Sequence, residues 1–352
     1  MNTVAQSAMT SGAMANGRLR SLPLVTLYLT ERCNSRCVTC DYWRTGRADM
    51  SLDSIARLLP SLVKLQTRMV LISGGEPLIH PEWSEIAQLL RGNGLRLWLL
   101  TSGLSLVKHA RRAAPLFDAI TVSLDGTDRA TYAAIRGLDA FDNVCAGIEA
   151  CADAGIPAGL RVTLQRSNYR QLPQFIDLAR QLRARQVSFL AVDVANPHAF
   201  GRNDDFSTNL ALRGEDLNEL EQILCAVERD YAADFRSGFI AESPRKLRQI
   251  HQYFAAVCAT APYPPVRCNA PEVSAVIDAK GHLSPCFFIS GPADARWGGD
   301  LGEALNSDSM VGLREDIRAG ARPECARCVC SLWREPDSLT VPNPVSPRET
   351  YV

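Results

Sequence analysis

The sequence predicts an α/β fold, because short apolar runs alternate six times with stretches of helical periodicity. Such alternation implies a parallel sheet, and right-handed crossovers curl that sheet into a barrel or an open partial barrel. Polar and glycine-bearing segments follow the predicted strands, at the edge where these folds bind ligands. We expect a partial (β/α)6 TIM-like barrel over residues 22–212, connecting helices over 213–261, and a small α+β C-terminal domain over 262–335.

The individual elements follow from periodicity, capping residues and turn residues. Barrel strands are predicted at residues 22–29, 69–72, 95–101, 119–123, 158–164 and 187–194. A first helix begins after the capping residue Ser51, and further helices are predicted at 81–91, 104–114, 139–154 and 169–183. Beyond the barrel we predict helices at 216–229, 243–257 and 309–318, and a hairpin that turns at Lys280-Gly281.

Composition narrows the class of protein. The formal net charge of the 352 residues is zero, which implies no broad attraction to nucleic acid or to an anionic membrane. No run of 18 apolar residues predicts a membrane span. Residues 1–21 are rich in small and polar residues and resemble a disordered leader more than a secretion signal, and 336–352 form a tail. We expect a cytoplasmic protein, and its twelve cysteines argue for metal or cluster ligation and against a disulfide framework.

Three cysteines follow the first predicted strand. Cys33, Cys37 and Cys40 are spaced C-x3-C-x2-C, so one short loop can place three thiolates around one face of an iron–sulfur cluster. Four cysteines normally close a cubane cluster, and three leave one iron open for a small molecule. The alternative is a zinc knuckle without its fourth ligand, because the next cysteine is Cys145. The spacing favours the cluster.

A second group of cysteines lies near the C-terminal end of the sequence. Cys268 and Cys286 flank the predicted hairpin, and Cys325 and Cys328 follow the predicted helix at 309–318. Paired cysteines on separate elements also build zinc ribbons, so these residues alone are equally compatible with structural zinc. Cys145, Cys151 and Cys225 are isolated on predicted helices, where we expect them to pack as small apolar residues.

The loop Cys33-x3-Cys37-x2-Cys40 directly after a first strand resembles the signature of radical S-adenosylmethionine (SAM) enzymes. In that family the open iron is chelated by the amino and carboxylate groups of SAM. An electron then cleaves SAM to methionine and a 5′-deoxyadenosyl radical. The resemblance implies SAM, a [4Fe–4S] cluster and an external electron donor such as flavodoxin or ferredoxin. Thr39 departs from the pattern, because the family usually has an aromatic residue there, and Tyr42 follows the third cysteine instead.

The pattern Cys268-x12-Gly281-x4-Cys286, followed by Cys325-x2-Cys328, resembles the twitch form of an auxiliary-cluster domain, the shortened relative of the SPASM domain. This resemblance implies one auxiliary [4Fe–4S] cluster, two clusters in all, and makes the C-terminal unit a cluster-binding domain. Cys330 lies close enough to Cys328 to replace it as a ligand.

The resemblance also implies residues that contact SAM. Gly74-Gly75-Glu76-Pro77 is similar to the family's Gly-Gly-Glu-Pro motif, although it also fits a tight turn. The expected SAM contacts are Thr39, Tyr42, Gly74, Gly75, Glu76, Thr101, Ser102, Ser123, Arg161 and Val192. The alternatives are a turn for 123–126 and a surface ion pair for Arg161. Asp193 and His198 are candidates for proton transfer, and His198 equally fits a solvated loop.

The expected function is hydrogen abstraction from a small metabolite, in an oxidative modification such as dehydrogenation or decarboxylation within a biosynthetic pathway. One alternative is a ribosomal-peptide maturase, which often carries an added leader-binding domain; the residues before the first strand are too few for one. Another alternative is a zinc-bound, non-catalytic protein. Neither nucleic acid nor membrane is an expected partner.

Overall fold

The computed structural model describes residues 14–15, 17–196, 199–202 and 208–333. The strands in these ranges are β1 (Met14–Ala15), β2 (Arg18–Leu19), β3 (Leu24–Thr30), β4 (Met69–Gly74), β5 (Arg96–Thr101), β6 (Ala119–Ser123), β7 (Ala158–Leu164), β8 (Gln186–Ala191), β9 (Ser274–Ile277) and β10 (Leu283–Ser284). β1 and β2 form a separate two-stranded sheet. The other eight strands form one sheet in the order β10-β9-β3-β4-β5-β6-β7-β8.

Helices separate the barrel strands, and further helices follow the barrel. They are α1 (Tyr42–Thr45), α2 (Leu52–Lys64), α3 (Trp83–Gly92), α4 (Leu106–Ala113), α5 (Arg129–Arg136), α6 (Phe141–Asp153), α7 (Leu172–Gln181), α8 (Glu215–Asp230), α9 (Ala232–Ser237), α10 (Pro244–Val257), α11 (Ala270–Val273), α12 (Leu301–Leu305), α13 (Asp308–Arg318) and α14 (Pro323–Ala326). Single 3-10 turns lie at Pro77–Ile79, Tyr169–Gln171, Ala199–Gly201 and Thr208–Leu210.

The barrel sheet consists of β3 to β8, which pair in parallel and in chain order. The predicted α/β fold with a partial barrel is therefore confirmed. Alternate residues of β3 show why it forms: Val25 and Leu27 face the main core shared with the helices, and Leu24 faces a smaller inner cluster. Each fully buried Leu or Ile side chain contributes about 1.5–3 kcal/mol.

Helix α2 illustrates how the outer layer is built. The Ser51 hydroxyl accepts a hydrogen bond from the backbone N–H of Ser54, as its predicted capping role requires. Ile55, Leu58 and Leu62 recur at helical spacing and are fully buried against the sheet. This packing holds the helix on the outer face and leaves the carboxyl ends of the strands accessible.

The predicted C-terminal hairpin is present as β9 and β10, which pair in antiparallel register. β9 also pairs in parallel with β3, opposite Leu24 to Leu27, so the hairpin extends the barrel sheet at its first strand. This pairing brings the second cysteine group to the side of the barrel that carries the cysteine loop. The domain division at residue 262 stays a prediction.

The structure differs from the sequence-based expectations at several places. Residues 18–19, which were expected to lie in a disordered leader, form β2, and the backbone N–H of Leu19 donates to the Asn306 side chain at 2.7 Å. Helices α1, α5, α9, α11, α12 and α14 were not predicted. Cys225 is exposed on α8 and does not pack as an apolar core residue. In the described part of the chain, no helix is both long and apolar enough to span a membrane.

Candidate functional site

The cysteine loop begins directly after β3 and carries Cys33, Cys37 and Cys40, all half-buried. Ser35 lies between the first two and organises the loop. Its backbone N–H donates to the Cys33 sulfur at 3.4 Å, and its hydroxyl lies 3.2 Å from the Cys37 sulfur. Ser35 therefore contacts two of the three sulfur atoms of the loop.

Helix α5 holds this loop through its last turn. The backbone N–H groups of Arg36 and Val38 each donate at 3.0 Å to the carbonyl oxygens of Arg136 and Ile135. The helix ends there because Gly137 adopts a left-handed conformation, and a Cβ atom at Gly137 would lie 2.5 Å from the Arg36 carbonyl oxygen. The sequence did contain a signal for α5, because Asp128 and Gly137 are standard capping residues at its two ends.

Two buried arginines flank the loop, and neither was predicted from the sequence. Arg136 is ion-paired with the buried carboxylate of Asp125 at 3.1 Å, and its positive charge reaches Cys33 and Cys37. Arg202 donates from Nε to the Thr39 carbonyl oxygen at 3.0 Å, and its charge reaches Cys40. Both guanidinium groups favour the thiolate form of the cysteines, which is the form that binds metal.

Burial opposes ionisation of the same thiols. It raises the pKa of Cys33 to about 11 and that of Cys40 to about 12. The thiols of Cys33 and Cys40 are therefore neutral near pH 7 without a metal, and ligation has to release their protons. Three cysteines on one loop, with buried cations behind them, fit the cluster that the resemblance implies.

The two glycines after β4 pack against this loop. A Cβ atom at Gly74 would overlap the carbonyl oxygen of Thr30, and one at Gly75 would overlap that of Arg32. The backbone N–H of Gly75 donates to the Thr30 carbonyl at 2.7 Å. Their first role is therefore close approach to the backbone of the cysteine loop, and a direct contact with SAM stays a prediction.

Glu76 is fully buried, and both of its carboxylate oxygens accept hydrogen bonds from protein groups. Oε1 accepts from the Thr101 hydroxyl at 2.8 Å and from the Leu78 backbone at 3.1 Å, and Oε2 accepts from the Ser102 backbone at 2.6 Å. The Ser102 hydroxyl in turn donates to Asn34 in the cysteine loop at 3.3 Å. Three expected SAM contacts thus form one network that joins β4, β5 and the loop.

Ser123 and Arg161 are neighbours across β6 and β7, and Arg161 pairs in register with Ser188 of β8. The Ser188 hydroxyl donates to the buried carboxylate of Glu242 at 2.6 Å. Burial raises the pKa of Glu242, and the nearby charge of Arg161 opposes that rise. Arg161 therefore faces a buried carboxylate, which differs from the surface ion pair considered as its alternative role.

The remaining candidates lie after β8. Val192 is fully buried, and its backbone N–H donates to the Leu164 carbonyl at 2.8 Å. Asp193 is buried, and its Oδ1 accepts from the backbone N–H groups of Ala195 and Asn196, so part of its role is to form the turn after β8. Burial raises the pKa of Asp193. His198 lies outside the described residues.

The second cysteine group is assembled from the hairpin and the segment after α13. Cys268, Cys286, Cys325 and Cys328 lie within reach of one another's charges, and burial raises the pKa of Cys286 to about 12 and that of Cys325 to about 11. Cys330 is adjacent: its backbone N–H donates to the Cys328 sulfur at 3.3 Å. Five thiols therefore share this region.

Among the described residues, the sulfur atoms of neither cysteine group are arranged around one metal-ion position. Among the residues that the structure describes, no three His, Cys, Asp or Glu side chains are arranged to hold one metal ion. A single zinc ion needs sulfur atoms at about 2.3 Å from one centre, whereas a cluster of four irons is several ångströms across and is bound by cysteines that stand further apart.

A cavity of about 360 Å³ lies between the cysteine loop and the C-terminal hairpin. Tyr28 and Tyr42 line it from the barrel, and Phe287 lines it from the segment after β10. The ring centroid of Tyr28 lies 6.0 Å from that of Tyr42 and 6.3 Å from that of Phe287. Cys286 also lines the cavity, so this space reaches the second cysteine group.

Comparisons with known proteins agree with this architecture. Residues 27–179 match the model of the Radical SAM superfamily. The Fe-coproporphyrin III synthase of Methanosarcina barkeri is 29% identical over 201 residues, which cover 55% of this chain and 50% of that protein. The AdoMet-dependent heme synthase of the same organism is 30% identical over 168 residues, 46% of this chain and 48% of that protein. This chain thus spans about half the length of these two relatives.

A longer match is the GTP 3′,8-cyclase of Cronobacter sakazakii, which is 27% identical over 292 residues, 79% of this chain and 83% of that protein. Streptococcus suis SuiB bound to S-adenosylmethionine has a similar fold, with a TM-score of 0.64 and 15% identity over 90% of this chain and 74% of that chain. The structure of SuiB bound to its precursor peptide SuiA has a TM-score of 0.63 and 13% identity, over 96% of this chain and 76% of that chain.

A second solved structure, anSMEcpe with bound AdoMet and the Cp18Cys peptide, has a TM-score of 0.61 and 15% identity over 82% of this chain and 81% of that chain. At this identity the solved structures establish the fold alone. The family match covers the cysteine loop and the first five barrel strands. Residues 27–179 of this chain therefore belong to the radical SAM superfamily, as the sequence predicted.

Proposed function

We propose that this chain is a radical SAM enzyme that abstracts a hydrogen atom from a small metabolite. The observation that carries the proposal is the cysteine loop, which lies inside the matched family region at the carboxyl end of β3. Cys33, Cys37 and Cys40 would hold a [4Fe–4S] cluster with one open iron. With SAM bound, that cofactor supplies a 5′-deoxyadenosyl radical, and the protein supplies position and exclusion of water.

The protein groups around the loop have separable roles in this proposal. Arg136 and Arg202 offset the negative charge that three thiolates bring into a buried site. Glu76 fixes the ends of β4 and β5, so that Ser102 and the loop keep their relative positions. Ser123 and Arg161 lie side by side on neighbouring strands and would contact the polar part of SAM.

Cys268, Cys286, Cys325 and Cys328 would hold the auxiliary [4Fe–4S] cluster, which serves electron transfer or scaffolding because it has no open iron. The proximity of their thiols supports this assignment. An electron acceptor beside the substrate favours net oxidation, such as dehydrogenation or decarboxylation. The initial electron would come from a flavodoxin or ferredoxin.

Peptide modification is the second candidate. SuiB, which has a similar fold, has been solved with its precursor peptide, and anSMEcpe has been solved with a peptide. Relatives by sequence include a Fe-coproporphyrin III synthase and a GTP 3′,8-cyclase, which are named for small molecules. The volume of the cavity, about 360 Å³, suits a small molecule and favours the first candidate.

The experiment is an anaerobic assay of SAM cleavage. The purified chain is reconstituted with iron and sulfide, mixed with SAM and dithionite, and analysed for 5′-deoxyadenosine by mass spectrometry. We expect 5′-deoxyadenosine from the parent protein and none from Cys40→Ser, because that variant loses one of three ligands to the first cluster.

The matched control is Cys225→Ser, since Cys225 is exposed on α8 and belongs to neither cysteine group. That variant should produce 5′-deoxyadenosine at the parent rate. Intact SAM in a parent sample that contains iron at the loop, or cleavage retained in Cys40→Ser, would contradict the proposed function.

A further inference from the structure

Residues 199–202, which follow the turn after β8, contact the cysteine loop at two places. Arg202 donates from Nε to the carbonyl oxygen of Thr39 at 3.0 Å. The carbonyl oxygen of Phe200 accepts a hydrogen bond from the backbone N–H of Asp41 at 3.1 Å. Thr39 and Asp41 stand directly before and after the third cysteine of the loop. This segment therefore bonds the backbone on both sides of that cysteine.

Arg202 also bonds to the turn after β8. Its Nη1 donates to the carbonyl oxygen of Asp193 at 2.7 Å and to that of Asn196 at 3.3 Å. The residue is buried, with an exposed fraction of 6%. One guanidinium group thus joins the cysteine loop to the end of the last barrel strand. Arginine suits this place because its planar guanidinium offers several donors at once, whereas glutamine is shorter and has a single amide nitrogen.

Phe200 adopts a strained backbone conformation beside Arg202. Its φ of 58° and ψ of 34° lie in the left-handed region, which a large side chain adopts only rarely. Its ring centroid lies 5.3 Å from the guanidinium carbon of Arg202 and 5.4 Å from the ring centroid of Phe288. The side chain of Asn196 also donates to the carbonyl oxygen of Phe288. Packing on both sides therefore holds Phe200 in a conformation of the kind that clusters at functional sites.

The positive charge of Arg202 acts on the cysteine loop. It reaches the Cys40 thiol, the buried carboxyl group of Asp193 and the carboxyl group of Asp41, which is also ion-paired with Arg44 at 2.7 Å. Burial lowers the pKa of Arg202 and these negative groups oppose that shift, but arginine stays protonated in proteins. Arg202 thus places a permanent charge near Cys40, and salt screens this charge only weakly because it is buried.

We propose that Arg202 is a positioning residue of the cysteine loop: together with Phe200 it fixes Cys40, and its charge raises the reduction potential of the cluster that the loop would hold. Reduction adds one negative charge to a cluster, so a buried cation nearby stabilises the reduced form more than the oxidised form. The hydrogen bonds to the loop keep that cation in place. Arg202 would thereby serve the first electron transfer of the proposed function, on which this inference rests.

The first experiment compares Arg202→Gln, which removes the charge and keeps an amide donor, with Arg202→Lys, which keeps the charge. The reconstituted full chain is reduced at controlled potentials, and electron paramagnetic resonance follows the signal that responds to SAM. We expect the ratio of reduced to oxidised cluster at a fixed potential to fall about tenfold in Arg202→Gln, a shift of about 59 mV for one electron. Arg202→Lys should stay within about twofold of the parent ratio, because the net charge near the cluster is kept.

The matched control is Arg57→Gln, which removes the same charge from an exposed position. Arg57 is ion-paired with Asp53 of the same helix, α2, and its variant should keep the parent ratio. A purely structural role would make the two Arg202 variants behave alike. The parent ratio in Arg202→Gln, or an equal fall in both Arg202 variants, would overturn the inference. If Arg202→Gln does not fold, a folded Arg202→Lys decides: the parent ratio supports the inference, and the fall expected of the glutamine overturns it.

Hydrogen–deuterium exchange tests the positioning role without any cluster. The backbone N–H of Asp41, which bonds to Phe200, should exchange at least about tenfold faster in Arg202→Gln, because residues 199–202 then open more easily. Arg57→Gln should exchange at the parent rate. Parent-like exchange at Asp41 in folded Arg202→Gln would overturn the inference. The full chain is measured before reconstitution, so this result does not depend on SAM cleavage, and the 5′-deoxyadenosine assay tests the proposed function separately.

Discussion

Gly75 and Glu76, which follow β4, pack against the cysteine loop and the end of β5. Gly75 and Glu76 were expected to contact SAM, and the structure first gives them internal roles. Gly75 leaves room for the carbonyl oxygen of Arg32, and Glu76 collects hydrogen bonds from Thr101, Ser102 and Leu78. These roles predict distinct consequences for substitution.

The change Gly75→Ala places a Cβ atom on the Arg32 carbonyl oxygen, so the cysteine loop must shift. We expect a destabilisation of about 1–3 kcal/mol and a lower iron content at the loop. Denaturant unfolding and iron analysis measure the two effects. Gly92→Ala is the control: a Cβ atom at Gly92 would have no atom within 4 Å, and alanine in a helix is neutral or stabilising by up to about 1 kcal/mol. Equal behaviour of both variants would refute the packing role of Gly75.

The change Glu76→Gln keeps the shape of the side chain but turns one oxygen into a donor that faces donors. We expect a loss of about 2–4 kcal/mol in unfolding free energy, since a buried charged acceptor is removed and its partners are left unsatisfied. Glu85→Gln on α3 is exposed and should change stability by less than about 0.5 kcal/mol. If the Glu76 variant is as stable as the Glu85 variant, the hydrogen bonds to Glu76 do not stabilise the fold.

For single residues, the sequence predicted which residues belong to the site better than it predicted what those residues contact. The cysteine spacing and the Gly74-Gly75-Glu76 run were visible, but their packing on each other depends on the parallel pairing of β3 and β4. Arg136 and Arg202 could not be recognised, because nothing local distinguishes a guanidinium that will be buried from the many that are exposed.

At the scale of elements, α5 is one of the helices that were not predicted, and it holds the cysteine loop. It connects the end of β6 to the cysteine loop through backbone hydrogen bonds from Arg36 and Val38. It is only eight residues long, and its capping residues Asp128 and Gly137 are the signals in the sequence that mark its two ends. The long barrel strands were predicted well because their apolar runs are continuous, as expected for strands covered on both faces.

The change Asp128→Ala removes the side chain that accepts from the Thr131 backbone at 2.8 Å at the start of α5. We expect a loss of about 1 kcal/mol in unfolding stability, within a range of about 0.5–2 kcal/mol for such caps. Asp128→Ser preserves a capping oxygen and should recover most of that loss. The measurement is the denaturant midpoint of all three proteins, and an alanine variant with the parent midpoint would exclude a capping role.

The whole molecule brings two cysteine groups to one side of a single sheet. The pairing of β9 with β3 does this, and it was not predicted, because parallel pairing between residues so distant in sequence leaves no local pattern. The predicted hairpin was present, but its place beside the first barrel strand is a tertiary fact. The cavity between Tyr28, Tyr42 and Phe287 exists only through that pairing.

If each cysteine group binds its own cluster, substitution of one group should remove only the iron bound by that group. We expect about eight irons per reconstituted parent chain, and about four in a variant with alanine at Cys33, Cys37 and Cys40. Alanine at Cys268, Cys286, Cys325 and Cys328 should leave the other four. Iron and zinc analysis with Mössbauer spectroscopy checks these counts. Zinc at either group, or loss of all iron from one set of substitutions, would contradict two independent clusters.

Electron paramagnetic resonance of the dithionite-reduced protein, with and without SAM, tests the role of the cysteine loop most directly. We expect SAM to change the spectrum of the cluster at Cys33, Cys37 and Cys40, because SAM would bind its open iron. The variant with alanine at these positions should keep a signal from the second group that SAM does not change. A parent spectrum that is indifferent to SAM, or a SAM-dependent change in that variant, would contradict the assignment of the cysteine loop.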